Sequence, residues 1–179
     1  MASQKRSNES SLIQQCLEGN SDAQRELYSQ FSGVLFAICL RYSKDEDQAQ
    51  DMLQESYIKI FNNLGNFKFQ GSFEGWLKRI CVNQCLDYLR KDRSHLFTDV
   101  NDDALQISIP EKSSDTLNEK YLMTLLRQLP LGYRTVFNMY AIEGYSHSEI
   151  ASILGISENT SKTQLFKARK LLQKWLGNE

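Results

Sequence analysis

The stretch from residue 146 to residue 176, SHSEIASILGISENTSKTQLFKARKLLQKWL, decides the fold of the last third of the chain. Ser146 and Glu149 have the spacing of a capping box, which predicts that a helix begins there. Gly155 supplies the left-handed residue that a tight corner between helices requires, and Ser157 can cap the next helix. The pattern therefore predicts a helix-turn-helix, with its two helices over 146–154 and 157–176.

The second of these helices is basic on the faces that it does not bury. The N-terminal part of such a helix enters the major groove of DNA, so its candidate readers are Asn159, Lys162, Thr163, Phe166 and Lys167. Further along the helix, we expect Arg169 and Lys170 to contact phosphates. The alternative is a solvated basic face on a core helix, but the capped corner directly before it favours DNA contact. We predict that His147 faces solvent or caps a helix.

Helical patterns continue outward from this corner. Two further helices are predicted at 117–128 and 131–143, and the N-terminal half predicts four. These four run over about 11–18, from a capping box at Ser21, from Asp45 to about Leu64, and from about Ser72 to Lys91. A loop with a glycine at each end, 65–71, separates the last two. With two prolines and nine glycines the chain lacks the turns of an all-β protein.

Charge divides the chain into three parts. Residues 1–93 carry twelve positive and twelve negative side chains, residues 94–118 one and five, and residues 119–179 eight and five. We therefore predict an all-α fold with two small domains: a four-helix bundle at 1–93 and a helix-turn-helix domain at 119–179. A flexible acidic linker at 94–118 joins them, and the basic second domain faces a polyanion.

The four cysteines offer a limited site for a metal ion. Cys16 and Cys39 stand singly in apolar helical stripes, whereas Cys81 and Cys85 lie four residues apart on one side of a helix and can share a ligand. A pair supplies half of a tetrahedral site, and burial as small hydrophobic residues is the alternative. We predict no metal and no cofactor, and the sequence leaves open a redox or metal role for Cys81 and Cys85.

The N-terminus has no signal-peptide core, and no run approaches the roughly 20 apolar residues of a membrane span. We therefore expect a cytoplasmic protein without membrane insertion.

Two blocks of the sequence resemble one protein family. Residues 45–91, DEDQAQDMLQESYIKIFNNLGNFKFQGSFEGWLKRICVNQCLDYLRK, resemble the second region of the extracytoplasmic-function sigma factors of bacterial RNA polymerase. Residues 126–172, LRQLPLGYRTVFNMYAIEGYSHSEIASILGISENTSKTQLFKARKLL, resemble the fourth region of the same family. The resemblance implies a non-enzymatic factor that binds core RNA polymerase and directs initiation by recognising and melting promoter DNA.

The resemblance also implies roles for individual residues. The surface that docks on the clamp helices of the largest β-type polymerase subunit would contain Asp51, Gln54 and Glu55, and the second partner surface is the β flap. The minus-ten element would be bound by Asn66, Phe67, Lys68, Trp76, Arg79, Asn83 and Arg90. Of these, Asn83 matches a pocket for a flipped-out base, whereas a structural role is favoured for Trp76, because a tryptophan near a helix start is more often part of the core. An anti-sigma factor is a further implied partner.

The chain departs from the family at Asn159, Ser161 and Gln164, where a common form has glycine, valine and arginine. Ser161 falls on the inner side of the helix, so looser packing or a small rotation is expected there. Two alternatives stay open: a helix-turn-helix repressor or activator with an N-terminal sensing bundle, and a regulatory protein that keeps the sigma shape without promoter recognition. An enzyme is disfavoured, because the sequence shows no nucleophile–base pair, glycine-rich phosphate loop or carboxylate–histidine cluster.

Overall fold

The structure is a computed structural model that describes residues 2–91 and 119–177, with side chains over 8–91 and 121–177. These residues form eight α-helices and no strand, which confirms the prediction of an all-α fold. The chain divides into two compact units, Met1–Cys85 and Leu86–Glu179. The linker predicted at 94–118 lies outside the described residues, and the domain boundaries predicted on either side of it stay predictions.

The four helices predicted for the N-terminal half are present, and the first unit contains them as far as Cys85 of the fourth helix. They are α1 (Ala2–Leu17), α2 (Ser21–Tyr42), α3 (Glu46–Asn63) and α4 (Phe73–Lys91), with a short 3-10 turn at Leu64–Asn66. The predicted start of the first helix, near residue 11, was wrong, because α1 already begins at Ala2. Its first residues are polar and show no apolar stripe, so periodicity cannot reveal them.

The corner between α1 and α2 confirms one prediction and corrects another. Gly19 adopts φ +81°, and the N–H of Asn20 donates to the Gln15 carbonyl at 3.1 Å, as expected for a glycine that ends a helix. The capping box at Ser21 was wrong, because Ser21 is already helical. Asn20 has extended backbone angles, and its Oδ1 accepts from the N–H groups of Asp22 and Ala23 at 2.9 and 3.1 Å.

The core of the first unit forms where the apolar stripes of the helices meet. Asp45 caps α3 by accepting from the N–H of Gln48 at 2.8 Å, which confirms the predicted start of this helix. The apolar stripe of α3 continues to Leu64. It buries Ala49, Met52, Leu53, Tyr57, Ile60 and Leu64, whereas Phe61 is half-buried. The residues with no more than 1% of their surface exposed include Leu27 and Leu35 of α2, Met52 and Ile60 of α3, and Phe73 and Leu77 of α4.

The second unit contains α5 (Glu119–Gln128), α6 (Leu131–Phe137), α7 (His147–Leu154) and α8 (Glu158–Leu176). The prediction of one regular helix over 131–143 was wrong in its second half, because α6 continues as a π-helical turn at Asn138–Ile142. There the N–H of Glu143 donates to the Asn138 carbonyl at 3.0 Å. A π turn adds one residue to a helical turn, so a 3.6-residue period cannot predict it. The core of this unit contains Leu125, Leu129, Tyr133, Ala168, Leu171 and Trp175.

Candidate nucleic-acid interfaces

The corner between α7 and α8 has the predicted helix-turn-helix geometry. The N–H of Ser146 donates to the Glu149 carboxylate at 2.8 Å, and the Ser146 hydroxyl accepts from the N–H of Glu149 at 3.3 Å. Gly155 ends α7 with φ +62°, and the Ser157 hydroxyl accepts from the N–H of Thr160 at 3.0 Å. Local hydrogen bonds and one left-handed glycine therefore orient α8.

The two faces of α8 are clearly separated. Its inner face buries Ser161, Leu165, Ala168, Leu171 and Trp175. Six of the seven predicted DNA-contacting residues are exposed: Asn159, Lys162, Thr163, Phe166, Arg169 and Lys170. The seventh, Lys167, is half-buried, with its Nζ 5.6 Å from the centroid of the Tyr133 ring. Phe166 is 67% exposed, so its ring contributes little to the core and is available for an apolar contact such as a thymine methyl group.

A cluster of aromatic rings fixes the loop before α4. The Phe67 ring lies 5.0 Å from that of Phe73 and 5.5 Å from that of Trp76, measured between centroids. Phe73 in turn packs edge-on against Phe31 of α2 at 5.7 Å. Because Phe67 is only 7% exposed, the structure places it beneath the candidate minus-ten surface, where it holds the loop. The half-buried Trp76 has the structural surroundings that the sequence favoured for it.

Phe69 is the exposed member of this aromatic group. It is 51% exposed and has φ +57°, which is unfavourable for a residue with a Cβ atom. Its ring still contacts Phe67 at 5.0 Å between centroids. Such backbone strain is typical of functional loops, and it presents an aromatic ring to solvent. Phe69 was not among the residues predicted from the sequence, because nothing in a run of loop residues shows which aromatic ring is turned outward.

The remaining minus-ten candidates present polar groups on the surface. Asn66 and Lys68 are exposed on the loop, and Arg79, Asn83 and Arg90 are exposed on α4. The positions 76, 79, 83 and 90 follow the helical repeat, so they lie near one face of α4. Arg90 makes an ion pair with Asp87, three residues before it in the same helix. The surface therefore combines aromatic, amide and cationic groups, which suit unstacked bases and phosphates.

The third set of candidates lies on α3. Asp51, Gln54 and Glu55 are all exposed, yet they differ in their surroundings. Glu55 accepts a hydrogen bond from the side-chain amide of Gln84 at 2.8 Å, which ties α3 to α4. Gln54 instead lines an open groove of about 370 Å³ between α2 and α3. The other residues of the groove are Tyr28, Ser32, Gly33, Phe36, Gln50 and Leu53.

Comparison with known proteins identifies both units. The family model described as sigma-70 region 2 matches residues 27–95, and the one described as sigma-70, region 4 matches residues 119–172. The ECF RNA polymerase sigma factor SigW of Bacillus subtilis is 28% identical over 181 residues, covering 92% of this chain and 94% of that protein. The chain belongs to the ECF sigma factors of RNA polymerase. It is a promoter-recognising factor that directs transcription initiation.

Two further sigma factors are similar to this chain. RNA polymerase sigma-H factor of Pseudomonas aeruginosa is 29% identical over 178 residues, covering 92% of each protein. A co-crystal structure of the sigma factor RpoE with the anti-sigma factor NepR from Bartonella quintana matches with a TM-score of 0.48 and 21% identity, covering 86% of this chain and 96% of that one.

The sigma factor has a hydrogen-bonded network behind its helix-turn-helix that the sequence did not predict. His147 stacks on Tyr140 with ring centroids 4.6 Å apart, and its Nδ1 lies 2.9 Å from the Ser161 hydroxyl. The guanidinium of Arg169 lies 5.7 Å from the Tyr140 ring centroid. The predicted surface or capping role of His147 was therefore wrong, because the imidazole is half-buried between helices. Ser161 is completely buried, and its hydroxyl has a specific partner in place of the packing of a valine.

Two further predictions for the sigma factor concern membranes and cysteines. Over residues 2–91 and 119–177, no helix combines the length and the apolar character of a membrane span. Cys81 and Cys85 do lie together, and Cys39 of α2 joins them, so three sulfur atoms meet where the sequence predicted at most two. Within the described residues, Cys39, Cys81 and Cys85 form the group whose ligand atoms lie close enough together to hold a metal ion.

Proposed function

We propose that this sigma factor divides promoter recognition among three surfaces. The α3 face around Gln54 docks on core RNA polymerase, the loop and α4 capture unpaired minus-ten bases, and α8 reads the minus-thirty-five duplex. The factor performs no chemistry of its own and acts in the cytoplasm, where polymerase and chromosome are found. We assign the first two surfaces to a domain at 1–93 and the third to a domain at 119–179.

The proposal for the docking surface rests on the groove beside Gln54. A groove lined by Tyr28, Phe36 and Leu53 can accept apolar side chains of a helical partner, while the amide of Gln54 and the carboxylate of Asp51 match its polar groups. Glu55 differs from these residues, because its carboxylate already accepts a hydrogen bond from the side-chain amide of Gln84. We therefore expect Glu55 to contribute to the α3–α4 packing as well as to docking.

The minus-ten surface combines a fixed loop with exposed chemistry, and this observation carries the proposal. Phe67 and Trp76 anchor the loop, while Phe69 and Asn83 are exposed beside it. An aromatic ring stabilises an unstacked base by about 1–3 kcal/mol, and the amide can bond to the Watson–Crick edge. We infer that Phe69 stacks on a base and that Asn83 selects one, while Lys68, Arg79 and Arg90 contact the strand.

The minus-thirty-five surface is the exposed face of α8. Asn159, Lys162 and Thr163 lie in its first turns, the part of such a helix that reaches base edges. Arg169 and Lys170 lie further along and contact phosphates, so binding weakens as salt rises. Gln164 is half-buried, and an amide there contributes one fewer cation to the phosphates than the arginine common in the family.

We expect an anti-sigma factor to regulate this protein by covering the surfaces that polymerase needs. The α2–α3 groove is the apolar part of the docking surface, so an inhibitor seated in it would exclude polymerase directly. The second polymerase contact, with the β flap, is assigned to the domain at 119–179.

Transcription in vitro tests the whole proposal. The chain, core polymerase and genomic DNA are combined, and transcripts are mapped with wild type, Gln54→Ala, Phe69→Ala and Asn83→Ala. The matched control is Asn62→Ala, which removes another exposed amide from α3. We expect discrete start sites with wild type and control, loss of polymerase binding with Gln54→Ala, and normal polymerase binding with reduced promoter opening for the other two.

Start sites that are unchanged in all three variants would contradict the assignment of the surfaces. A Gln54→Ala variant that binds polymerase normally would contradict the docking role alone. Permanganate footprinting of unpaired thymines separates a defect in opening from a defect in docking, because only the former leaves the polymerase bound.

A further inference from the structure

Three cysteine side chains converge inside the first unit. The Sγ of Cys39 lies 3.5 Å from that of Cys81 and 3.9 Å from that of Cys85, and all three sulfur atoms lie within 4.8 Å of one another. Each of the three residues is 0% exposed. Cys39 comes from α2, whereas Cys81 and Cys85 occupy successive turns of α4. The cluster therefore joins two helices that are distant in sequence.

The distances match a metal–thiolate site. Metal–sulfur bonds of about 2.3 Å place sulfur atoms roughly 3.8–4.0 Å apart around one ion. The separation of 3.9 Å falls within that range and the one of 3.5 Å lies about 0.3 Å below it, so binding requires only small side-chain adjustments at these two pairs. By contrast, a disulfide requires about 2.05 Å between sulfur atoms, and buried thiols are poorly reached by oxidants.

The hydrogen bonds within the cluster act in opposite directions on its three thiols. Hydrogen bonds from the thiols of Cys39 and Cys85 hold the pKa of Cys81 below its usual range, with smaller contributions from Ser56 and the charge of Arg41. The pKa values of Cys39 and Cys85 are raised, because their thiols donate to the shared cluster and are buried. A metal ion is bound by the thiolate form of cysteine, so an ion that enters the cluster displaces the thiol protons that its hydrogen bonds share.

The ligand set identifies the class of metal. Within the described residues, no histidine or carboxylate joins the three sulfur atoms. Structural zinc takes four ligands, whereas soft thiolate sulfur also selects Cu⁺. We propose that Cys39, Cys81 and Cys85 form a three-coordinate binding site for Cu⁺ that clamps α2 to α4.

Metal retention tests this site. The full chain is refolded without oxygen in the presence of Cu⁺ or Zn²⁺, so that access to the buried thiols is not limiting, and then dialysed against a Cu⁺ or Zn²⁺ chelator. We expect one Cu⁺ per chain to be retained, together with a raised Tm. X-ray absorption at the copper edge should show a shell of three sulfur atoms without nitrogen or oxygen. Preferential retention of Zn²⁺, or no retention of either ion, would overturn the proposal.

Cysteine variants provide the matched comparison. Cys16 is also buried, but it lies in α1 outside the cluster, so Cys16→Ala should retain Cu⁺ like wild type. We expect Cys39→Ala, Cys81→Ala and Cys85→Ala each to weaken binding by more than about tenfold, since even changes around a metal's ligands have effects of that size. Circular dichroism establishes which variants fold, and the absorption spectrum of wild type tests the site if none does. Equal Cu⁺ retention by Cys16→Ala and the folded cluster variants would refute it.

Discussion

The two proposed DNA-binding surfaces are positioned by different forces. The helix-turn-helix is set by neighbours in sequence: the Ser146–Glu149 capping box, left-handed Gly155 and the Ser157 cap. The loop before α4 is set by rings from separate elements, with Phe67 packed on Phe73 and Phe73 packed on Phe31 of α2. The loss of a helix cap or of the left-handed glycine can weaken the corner without unfolding the unit, whereas the removal of a core ring disturbs the whole bundle. A change at the corner of the second unit should therefore cost less unfolding free energy than the loss of a ring from the core of the first unit.

The largest effect is expected for Phe73→Ala. Phe73 is 1% exposed, and replacement of a buried phenylalanine by alanine costs about 3–5 kcal/mol of unfolding free energy. Urea denaturation should be followed by fluorescence in a Trp175→Phe background, so that Trp76 reports on the first unit alone. Phe69→Ala is the control, and its half-exposed ring should change the free energy by no more than about 1 kcal/mol. Similar losses of unfolding free energy for Phe73→Ala and Phe69→Ala would contradict the inference that packing on the core holds the loop in place.

The next largest effect is expected at the corner between α7 and α8. Gly155→Val places a β-branched residue at φ +62°, where a residue with a Cβ atom costs about 1–2 kcal/mol. In a Trp76→Phe background, Trp175 should report this loss for the second unit, and initiation that depends on the minus-thirty-five element should fall. Ser152→Val, at an exposed site of α7, is the control for the same side chain in a helix. If the two variants are equally stable, the left-handed residue does not set the corner.

The same contrast explains what the sequence could predict. The caps at Ser146 and Ser157 could be predicted because a cap depends on residues close in sequence, and the extent of α3 from about Asp45 could be predicted from its helical period. Exposure along α8 followed from the same period. By contrast, the outward position of Phe69, the burial of Phe67 and the approach of Cys39 to Cys81 depend on packing between distant elements. No local pattern shows which ring or thiol meets which partner.

A smaller effect tests a hydrogen bond between the two helices of the helix-turn-helix. The imidazole of His147 and the buried hydroxyl of Ser161 are hydrogen-bonded at 2.9 Å. A double-mutant cycle with Ser161→Ala and His147→Phe should give a coupling of about 0.5–1.5 kcal/mol, because phenylalanine keeps the stacking on Tyr140 and removes only the hydrogen bond. Additive single effects would show that shape alone aligns α7 with α8.

The smallest expected effect is a dependence on pH at the capping box. The backbone N–H and the hydroxyl of Ser146 both donate to Glu149 and lower the pKa of its carboxyl group. A carboxyl group with a lowered pKa in the folded state contributes stability above its ordinary pKa, and this contribution is lost as the pH falls through the folded value. The second unit should therefore lose stability between about pH 5 and pH 3, and Glu149→Gln should lose less over that interval. Glu158→Gln, in the first turn of α8, is the control and should retain the loss seen in wild type. Equal losses in wild type and Glu149→Gln would show that the charge of Glu149 adds nothing to a corner already fixed by the Ser146 hydroxyl and Gly155.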